Sequence, residues 1–301
     1  MAAINMQGKV CLVTGSSSGI GKATARELAR MGATVVMVCR NRAKGEATQA
    51  EIKEASANAQ VDLIVADLSE LSQVRRAASE FTQKYPQLHV LINNAGGLKS
   101  EREVTPDGLE YAFATNYLAP FLLTQLLLDT LKASVPARII NVSSAGHTLG
   151  RIDFANLQGE RRYSPSRAYA DSKLAQLYYT YELAEQLKGT GITVNALHPG
   201  AVATNFNDNL RGLVRFIGTF NNLVGTSAEK GAQTTLYLAT SPEVEGVSGK
   251  YFSKCKQTPS SKRSYDVAVR KRLWQVSEDL LRPYAQSAAN EVRPRGERRN
   301  V

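Results

Sequence analysis

Cysteine is scarce in this 301-residue sequence, which contains three: Cys11, Cys39 and Cys255. No two of them have the close spacing of a zinc site, so no metal site is predicted. Cys11 and Cys39 lie in apolar runs typical of strands, which indicates buried thiols. Free thiols are typical of proteins from a reducing compartment.

Long apolar runs and export signals are also lacking. No stretch approaches the roughly 18 uninterrupted apolar residues of a transmembrane helix, and the opening residues, MAAINMQGKV, lack the apolar core of a secretory signal. The composition, 43% hydrophobic and 21% charged, is typical of a globular protein. We therefore expect no transmembrane segment and a cytoplasmic location, while peripheral membrane contact stays open.

Acidic residues are few relative to basic ones at the C-terminal end of the chain, and the rest of the chain is nearly balanced. The formal net charge is +10, but residues 254–301 contain 12 Lys and Arg against 5 Asp and Glu, so residues 1–253 carry only +3. This excess does not form a basic face interleaved with aromatics, and nucleic acid is not an expected partner. A solvated tail is favoured, and contact with an acidic partner or a lipid surface is the alternative.

Short β-branched runs alternate with amphipathic segments through most of the chain. Runs that are apolar nearly throughout are typical of parallel strands covered on both faces. The predicted strands are 9–14, 33–39, 61–66, 88–93, 137–143, 192–197 and 249–253. The predicted helices are 19–31, 42–57, 70–84, 105–132, 163–188 and 228–240. This alternation predicts an α/β fold, a parallel sheet with helices on both faces, in a single domain.

Two segments interrupt the alternation. Residues 205–225 mix apolar side chains with Asn and Gly. They form an irregular surface connection, a lid over a pocket at the carboxyl ends of the strands, or a membrane contact. Residues 285–301 lack apolar periodicity and are expected to be a disordered basic tail, so the domain is predicted to extend over residues 1–284.

A glycine-rich turn, TGSSSGIG, follows the first predicted strand. Gly15, Gly19 and Gly21 allow a sharp turn and the close approach of a phosphate. The helix that follows presents free N–H groups and its positive dipole end. At the first strand–helix junction of a parallel sheet, this turn predicts a dinucleotide site.

The second predicted strand ends in CRNR, where an NAD enzyme usually has an acidic residue that bonds the ribose 2′-hydroxyl. Arg40 occupies this region, and a guanidinium pairs well with a 2′-phosphate. The alternative is a solvated loop arginine. Asp67, after the third strand, either accepts from the adenine amino group or caps a helix.

The segment YADSK places Tyr169 and Lys173 four residues apart on a predicted helix. This spacing puts both side chains on one helix face. Taken alone, the pair is more typical of a solvated lysine beside a half-buried tyrosine than of a catalytic pair.

Five motifs occur in a characteristic order: the glycine-rich turn, NNAG at 93–96, NVSS at 141–144, YADSK at 169–173 and HPG at 198–200. With them the chain, over about residues 7–255, resembles the short-chain dehydrogenase/reductase superfamily. CRNRAKGE, LINNAGG and SGKYFSKCK are most similar to its retinol dehydrogenase-like branch, which includes relatives of protochlorophyllide reductase. The resemblance implies a Rossmann-like, doubly wound parallel sheet of about seven strands.

The resemblance also implies catalytic roles. Tyr169 would be the general acid/base with Lys173 as its partner, Ser144 would bind the substrate oxygen, and Asn116 would complete a proton relay. An unperturbed phenol has a pKa near 10. Lys173, aided by the nicotinium ring of NADP⁺, is expected to lower the pKa of Tyr169.

NADP(H) is the implied cofactor, with Arg40 as the residue that would favour it over NAD(H). The implied cofactor contacts are Gly15, Ser17, Ser18, Gly19, Ile20, Gly21, Arg40, Asp67, Leu68, Asn94, Ala95, Gly96, Tyr169, Lys173, Pro199, Gly200, Val202 and Thr204.

The helix predicted over 105–132 has Thr105 placed to cap it and a proline, Pro120, in its interior. Pro120 lacks the N–H that would bond the carbonyl of Asn116. The helix should therefore bend there and leave that carbonyl available to a water that reaches Lys173.

Two histidines lie close to these motifs. His147 could touch the substrate, although a structural role is favoured, and His198 is expected to be structural as well.

The expected function is NADP(H)-dependent hydride transfer to or from a small lipophilic alcohol or carbonyl. Reduction of an activated C=C bond and a non-catalytic NADP-binding scaffold are the alternatives. The sequence PGAVATNF lacks the cysteine that follows Pro-Gly in protochlorophyllide reductases, and an apolar N-terminal anchor like that of membrane-bound retinol dehydrogenases is not expected. A homo-oligomer stays open.

Overall fold

A computed structural model of the chain describes residues 5–200 and 227–285. In this part of the chain eight strands form one sheet, in the order β3-β2-β1-β4-β5-β6-β7-β8. The pairs are parallel except β7 with β8. The strands are β1 (Val10–Thr14), β2 (Thr34–Cys39), β3 (Val61–Val65), β4 (Val90–Asn93), β5 (Ala137–Val142), β6 (Ile192–His198), β7 (Lys250–Ser253) and β8 (Lys256–Gln257).

Helices connect the strands and cover both faces of the sheet. They are α1 (Gly19–Arg30), α2 (Arg42–Ser56), α3 (Leu71–Lys84), α4 (Tyr111–Phe113), α5 (Ala119–Lys132), α6 (Pro165–Gln186), α7 (Ala228–Thr240) and α8 (Val267–Ala285). A π-helical turn, Ala114–Leu118, joins α4 to α5. Short 3₁₀ helices cover Ala145–Leu149, Pro242–Val244 and Lys262–Tyr265.

Successive residues of the central strands enter two different apolar clusters. In β1, Leu12 packs in the cluster that contains residues of α3, α5, α6 and α8, whereas Val13 packs in the cluster of α1 and α7. Because both faces are buried, each central strand is apolar nearly throughout. The predicted doubly wound α/β fold is confirmed, and each of the seven predicted strands lies within two residues of its observed bounds.

The strand order reverses beside β1, which pairs with β2 on one side and with β4 on the other. The connections after these two strands leave in opposite directions. In open α/β sheets such a reversal opens a crevice at the carboxyl ends of the strands, where ligands bind. The glycine-rich turn after β1 and the NNAG segment after β4 both lie at this edge.

The helix predicted from residue 105 begins later, so that prediction is wrong. Residues 104–110 form a tight turn closed by a bridge between Val104 and Glu110, with Gly108 at φ +78°. Thr105 accepts the N–H of Leu109 within this turn. The cap of α4 is Glu110, whose carboxylate accepts the N–H groups of Ala112 and Phe113.

The C-terminal helix α8 was not predicted from the sequence. It packs against α3, α5 and α6, and its Ser277 bonds the hydroxyl of Tyr117. It ends at Ala285, one residue beyond the predicted domain end. The remainder of the predicted tail, together with Val202, Thr204 and the whole 205–225 segment, lies outside the described residues.

No helix among residues 5–200 and 227–285 is both long and apolar enough to cross a membrane.

Candidate active site

The turn between β1 and α1 is built against the loop that follows β4. Gly15 has φ +65°, and a Cβ there would lie 2.8 Å from the Cα of Ala95. A Cβ on Gly21 would lie 2.4 Å from the carbonyl oxygen of Gly15. Asn94 donates from Nδ2 to the carbonyl oxygen of Thr14 across 2.8 Å. These glycines therefore allow two loops to pack together at the crevice.

The first turn of α1 presents groups that suit an anion. Its cap residue, Ser18, is extended, and the Ser18 side chain makes no capping hydrogen bond. The first turn contains no acidic residue. Free N–H groups and the positive end of the helix dipole favour a negatively charged group here. This donor set fits the diphosphate of a dinucleotide, which Ser18, Gly19 and Ile20 would hold.

Arg40 and Asp67 meet where β2 and β3 end. Nη1 of Arg40 lies 3.7 Å from Oδ2 of Asp67, and the Arg40 side chain is 63% exposed. The other carboxylate oxygen, Oδ1, accepts the N–H and the hydroxyl of Ser69, so Asp67 shapes the loop before α3. Leu68, which lies between Asp67 and Ser69 in the sequence, is buried.

Ser144 and Tyr169 come together from β5 and α6. The Ser144 hydroxyl accepts the N–H of Gly146 at 3.0 Å and is hydrogen-bonded to the Tyr169 side chain. A Cβ on Gly146 would lie 3.3 Å from Cε1 of Tyr169 and 3.4 Å from Oγ of Ser144. Gly146 thus packs against the Ser144 hydroxyl and the edge of the Tyr169 ring, with little room for a side chain.

Lys173 is buried beneath this pair. Its Nζ donates to the carbonyl oxygen of Val142 at 2.8 Å and lies 5.9 Å from the centre of the Tyr169 ring. Burial lowers the pKa of Lys173 to about 8. Burial also raises the pKa of Tyr169, and the hydrogen bond with Ser144 offsets this in part. The predicted lowering of the Tyr169 pKa by Lys173 is therefore wrong for these protein groups alone.

Asn116 occupies the π-helical turn, in which the N–H of Ala119 bonds the carbonyl five residues earlier. Its side chain is fully buried. Oδ1 accepts from the N–H of Gly97 at 2.7 Å, and Nδ2 donates to the Gly97 carbonyl and to Oγ of Ser172. A Cβ on Gly96 would lie 3.0 Å from Oδ1 of Asn116 and 3.6 Å from Nζ of Lys173. Asn116 and Lys173 therefore border the same space.

The two nearby histidines hold the Ser144 loop. His147 contacts the carbonyl oxygen of Ser144 through Nδ1 at 2.6 Å, and His198 accepts the N–H of Ala145 at 3.2 Å. Burial lowers the pKa of both imidazoles. Their backbone partners agree with the predicted structural role.

The remaining predicted contacts lie at the same edge of the sheet or outside the described residues. The carbonyl of Ser17 accepts the hydroxyl of Thr48 from α2. Pro199 and Gly200 directly follow β6, and Gly200 has φ +91°.

Sequence motifs identified the predicted reacting groups but missed the groups that hold them. Ser172, Gly97 and Val142 bond Asn116 or Lys173, and none was singled out. Each is inside or next to a recognised motif, so adjacency was an available signal. Two of the three act through main-chain atoms, which a residue pattern does not reveal.

The family model for short chain dehydrogenases matches residues 9–212. The chain belongs to this family and is therefore an oxidoreductase that uses a nicotinamide cofactor. It lies in the retinol dehydrogenase-like branch. Retinol dehydrogenase 12 of Mus musculus is 45% identical over 278 residues, covering 92% of this chain and 88% of that protein. Retinol dehydrogenase 13 of Homo sapiens is 41% identical over 294 residues, covering 96% and 89%.

Solved structures give the same fold. An uncharacterized protein from Mycobacterium paratuberculosis is similar with a TM-score of 0.75 and 34% identity, covering 93% of this chain and 96% of that one. The active-site complex of Pseudomonas aeruginosa RhlG with NADP is similar with a TM-score of 0.67 and 25% identity, covering 84% and 96%.

Proposed function

We propose that the protein is an NADP(H)-dependent oxidoreductase that interconverts a lipophilic alcohol and its carbonyl, with Tyr169 as general acid/base. The observation that carries this proposal is the assembly of Ser144, Tyr169 and Lys173 at the carboxyl edge of the sheet. When bound, the nicotinamide supplies or accepts the hydride.

Tyr169 moves the proton. In the reducing direction its phenol donates to the developing alkoxide, and in the oxidising direction its phenolate takes the alcohol proton. Burial keeps the phenol protonated at neutral pH, because it raises the Tyr169 pKa above its ordinary value. The resting form is thus the acid that carbonyl reduction requires.

Ser144 and Lys173 support this proton transfer in different ways. The Ser144 hydroxyl, held by the N–H of Gly146, can donate to the same substrate oxygen. One N–H of the Lys173 ammonium donates to the Val142 carbonyl. The positive charge of the ammonium stabilises negative charge near Tyr169. In this proposal Lys173 passes a proton toward Tyr169 through a water, in the space that Lys173 and Asn116 both border.

The preference for NADP(H) rests on Arg40. Its guanidinium lies at the end of β2, next to the region where the adenosine ribose would bind, and its only ion pair within the described residues is with Asp67. An exposed guanidinium can pair with a 2′-phosphate.

The lipophilic substrate rests on relatives, since the neighbours named retinol dehydrogenase act, by that name, on a lipophilic alcohol. A cytoplasmic location, peripheral contact with membranes and self-association are further parts of the proposal that await measurement.

A panel of carbonyl compounds with NADPH tests this function. It should contain an apolar aldehyde or ketone, a sugar, and an enone whose C=C bond can be reduced. Turnover of the apolar carbonyl to its alcohol supports the proposal. Turnover of the enone C=C bond alone, turnover of the sugar alone, or NADPH binding without any turnover would each overturn it.

A further inference from the structure

His147 has both ring nitrogens engaged, although it is not among the proposed reacting groups. It lies three residues after Ser144 and is only 2% exposed. Nδ1 lies 2.6 Å from the carbonyl oxygen of Ser144, and Nε2 accepts the backbone N–H of Ser261 at 3.1 Å.

These two partners fix the proton on the ring. A backbone N–H can only donate, so Nε2 must be unprotonated, and a carbonyl can only accept, so Nδ1 carries the hydrogen. His147 is therefore neutral in this arrangement. In the imidazolium form, a second N–H would face the N–H of Ser261, and that bond would be lost.

Ser261 is itself anchored to the helix that carries Tyr169. Neighbouring Ser260 bonds the hydroxyl of Tyr181, and the carbonyl of Arg263 accepts from Tyr178 at 2.6 Å. Both tyrosines belong to α6. Arg263 also donates to the carbonyl of Gly150, at the end of the 3₁₀ helix that contains His147.

His147 thus joins the backbone of Ser144 to a segment that is fastened to α6. We infer that His147 is a positioning residue: in its neutral form it ties the backbone of Ser144 to the segment that is fastened to α6, and its protonation breaks that tie at Ser261 while the bond to Ser144 stays. This inference rests on the proposed role of Ser144 in binding the substrate oxygen.

The groups around His147 favour its neutral form. The ring of Tyr251 on β7 packs edge-on at 5.0 Å, and burial raises the pKa of that tyrosine, which stays uncharged. His198 on β6 is close enough that a positive charge on His147 would lower the pKa of His198. The cation of Arg263 lies on the neighbouring segment. Burial lowers the pKa of His147 itself, so loss of the tie at Ser261 is expected below pH 6.5.

Three variants separate positioning from simple loss of stability. His147→Ala removes both bonds, whereas His147→Gln keeps a donor and an acceptor that do not titrate. Ser261→Pro removes the N–H together with a buried hydroxyl that has no hydrogen-bond partner within the described residues, and the φ of −60° at Ser261 suits proline. The matched controls are His89→Ala and His89→Gln. His89 is also buried, accepts a backbone N–H from Val10 at 3.1 Å and has a lowered pKa, but it lies at the opposite edge of the sheet.

The first measurement is the kcat of NADPH-dependent carbonyl reduction at pH 7.5. His147→Ala should lower kcat by about 10- to 100-fold, because an error of about 1 Å in placement is sufficient for such a loss. The KM for NADPH should stay within about twofold, and His89→Ala should retain kcat within about the same factor. Equal kcat losses in the two alanine variants would overturn the inference.

The second measurement is the pH dependence of kcat from pH 5 to 8. Wild type and His89→Gln should both lose activity on the acid side, whereas His147→Gln should not show this decline. An identical acid limb in all three proteins would overturn the inference.

The third measurement needs no substrate. Nitrogen NMR of the imidazoles should show His147 as the Nδ1–H tautomer, and Ser261→Pro should raise its pKa because no donor then opposes protonation. An Nε2–H tautomer, or an unchanged pKa in Ser261→Pro, would overturn the anchoring. If wild type reduces no carbonyl, the proposed function fails, and this measurement still decides the anchoring separately.

Discussion

Arg40 faces Asp67 across the ends of β2 and β3, with 3.7 Å between Nη1 and Oδ2. An exposed pair of this kind contributes only about 0–1 kcal/mol. Asp67 can therefore orient the Arg40 guanidinium, but the pair is weak enough for a stronger anion to bind the guanidinium in place of Asp67. A 2′-phosphate carries more negative charge than one carboxylate and can accept two parallel hydrogen bonds from arginine.

We therefore predict that Arg40→Ala raises the KM for NADPH by about tenfold or more and leaves the KM for NADH within about twofold, since loss of a charge-assisted contact costs roughly 1.5–3 kcal/mol. Arg42→Ala is the matched control, because Arg42 is also largely exposed, lies two residues away and pairs with Glu46 in α2. Steady-state kinetics with both cofactors measure the effect. Parallel rises for NADPH and NADH, or a wild type that prefers NADH, would contradict the assignment.

Tyr169→Phe should lower kcat by about 10²–10⁴-fold, the usual contribution of a general acid or base. NADPH binding, followed by fluorescence titration, should be nearly unchanged, because only a hydroxyl is removed. Tyr237→Phe is the control, since it loses a hydroxyl that bonds Glu243 at the surface of α7. Retention of more than about a tenth of wild-type kcat would exclude Tyr169 as the proton donor.

The pKa values of Tyr169 and Lys173 predict opposite pH dependences for the two directions. Reduction needs the phenol of Tyr169, which burial keeps protonated at neutral pH, and the charged form of Lys173, whose pKa is about 8. Its kcat should therefore be level near pH 7 and fall above pH 8. Oxidation needs the phenolate, so its kcat should rise from pH 7 toward pH 9. An oxidation optimum at or below pH 7 would show that bound cofactor reverses these shifts.

The lowered pKa of Lys173 has a separate effect on stability. Between about pH 8 and the ordinary lysine value of 10.5, the unfolded chain binds more protons at this residue than the folded chain does. The contribution of Lys173 to folding stability must therefore rise with pH in this window. Urea unfolding at pH 8 and pH 10 should therefore show that the free energy of unfolding of wild type increases relative to that of Lys173→Met, since the other titrating groups are common to both proteins.

Gly15→Ala should destabilise the protein and weaken NADPH binding. An alanine there meets a positive φ and would place its Cβ 2.8 Å from the Cα of Ala95. Gly189→Ala is the control for φ alone, because Gly189 has φ +80° and open space around its Cβ position. Both variants should lose about 1–2 kcal/mol from the left-handed backbone, and Gly15→Ala should lose more. Equal melting temperatures for the two variants would contradict the packing argument.

Strand positions could be predicted because a strand buried on both faces is apolar nearly throughout, as in TVVMVC of β2. The position at which the helix before α5 begins could not be predicted in the same way, and the predicted start at residue 105 is wrong. Thr105 and Pro106 suit a helix start, but Gly108 and the Val104–Glu110 bridge stabilise a turn first. The local sequence thus favours both a helix and a turn, and tertiary contacts stabilise the turn. Asp107 in this turn accepts hydrogen bonds from the N–H of Leu71 in α3 and from the hydroxyl of Tyr284 in α8.

The candidate site shows a similar division. Tyr169, Lys173, Ser144 and Asn116 were identified from ordered motifs. In the structure Ser144 is hydrogen-bonded to Tyr169, Lys173 lies 5.9 Å from the Tyr169 ring centre, and Asn116 and Lys173 border the same space beside Gly96. For the protein groups alone, the pKa of Tyr169 shifts upward and not downward as predicted, because spacing along a helix gives proximity to Lys173 but not the extent of burial. Burial depends on residues distant in sequence, such as Tyr251 of β7, which lies close enough to Tyr169 to interact electrostatically.

Asn116 and its neighbour Thr115 offer a direct comparison of a bonded and an unbonded buried side chain. Asn116 bonds the N–H and the carbonyl of Gly97 and the hydroxyl of Ser172. Within the described residues, the hydroxyl of Thr115 has no hydrogen-bond partner. Both side chains are buried in the same π-helical turn.

Asn116→Leu should lower the free energy of unfolding by at least about 2 kcal/mol, because each partner left unpaired costs roughly 1–3 kcal/mol. Thr115→Val should leave the free energy of unfolding unchanged or raise it, since it removes a buried hydroxyl that makes no hydrogen bond within the described residues. Denaturant unfolding of both variants measures the difference. Asn116→Leu should also lose kcat if Asn116 holds the relay water beside Lys173, whereas Thr115→Val should keep it. A stable Asn116→Leu enzyme with full activity would exclude Asn116 from both the packing of the Gly97 loop and the proton relay.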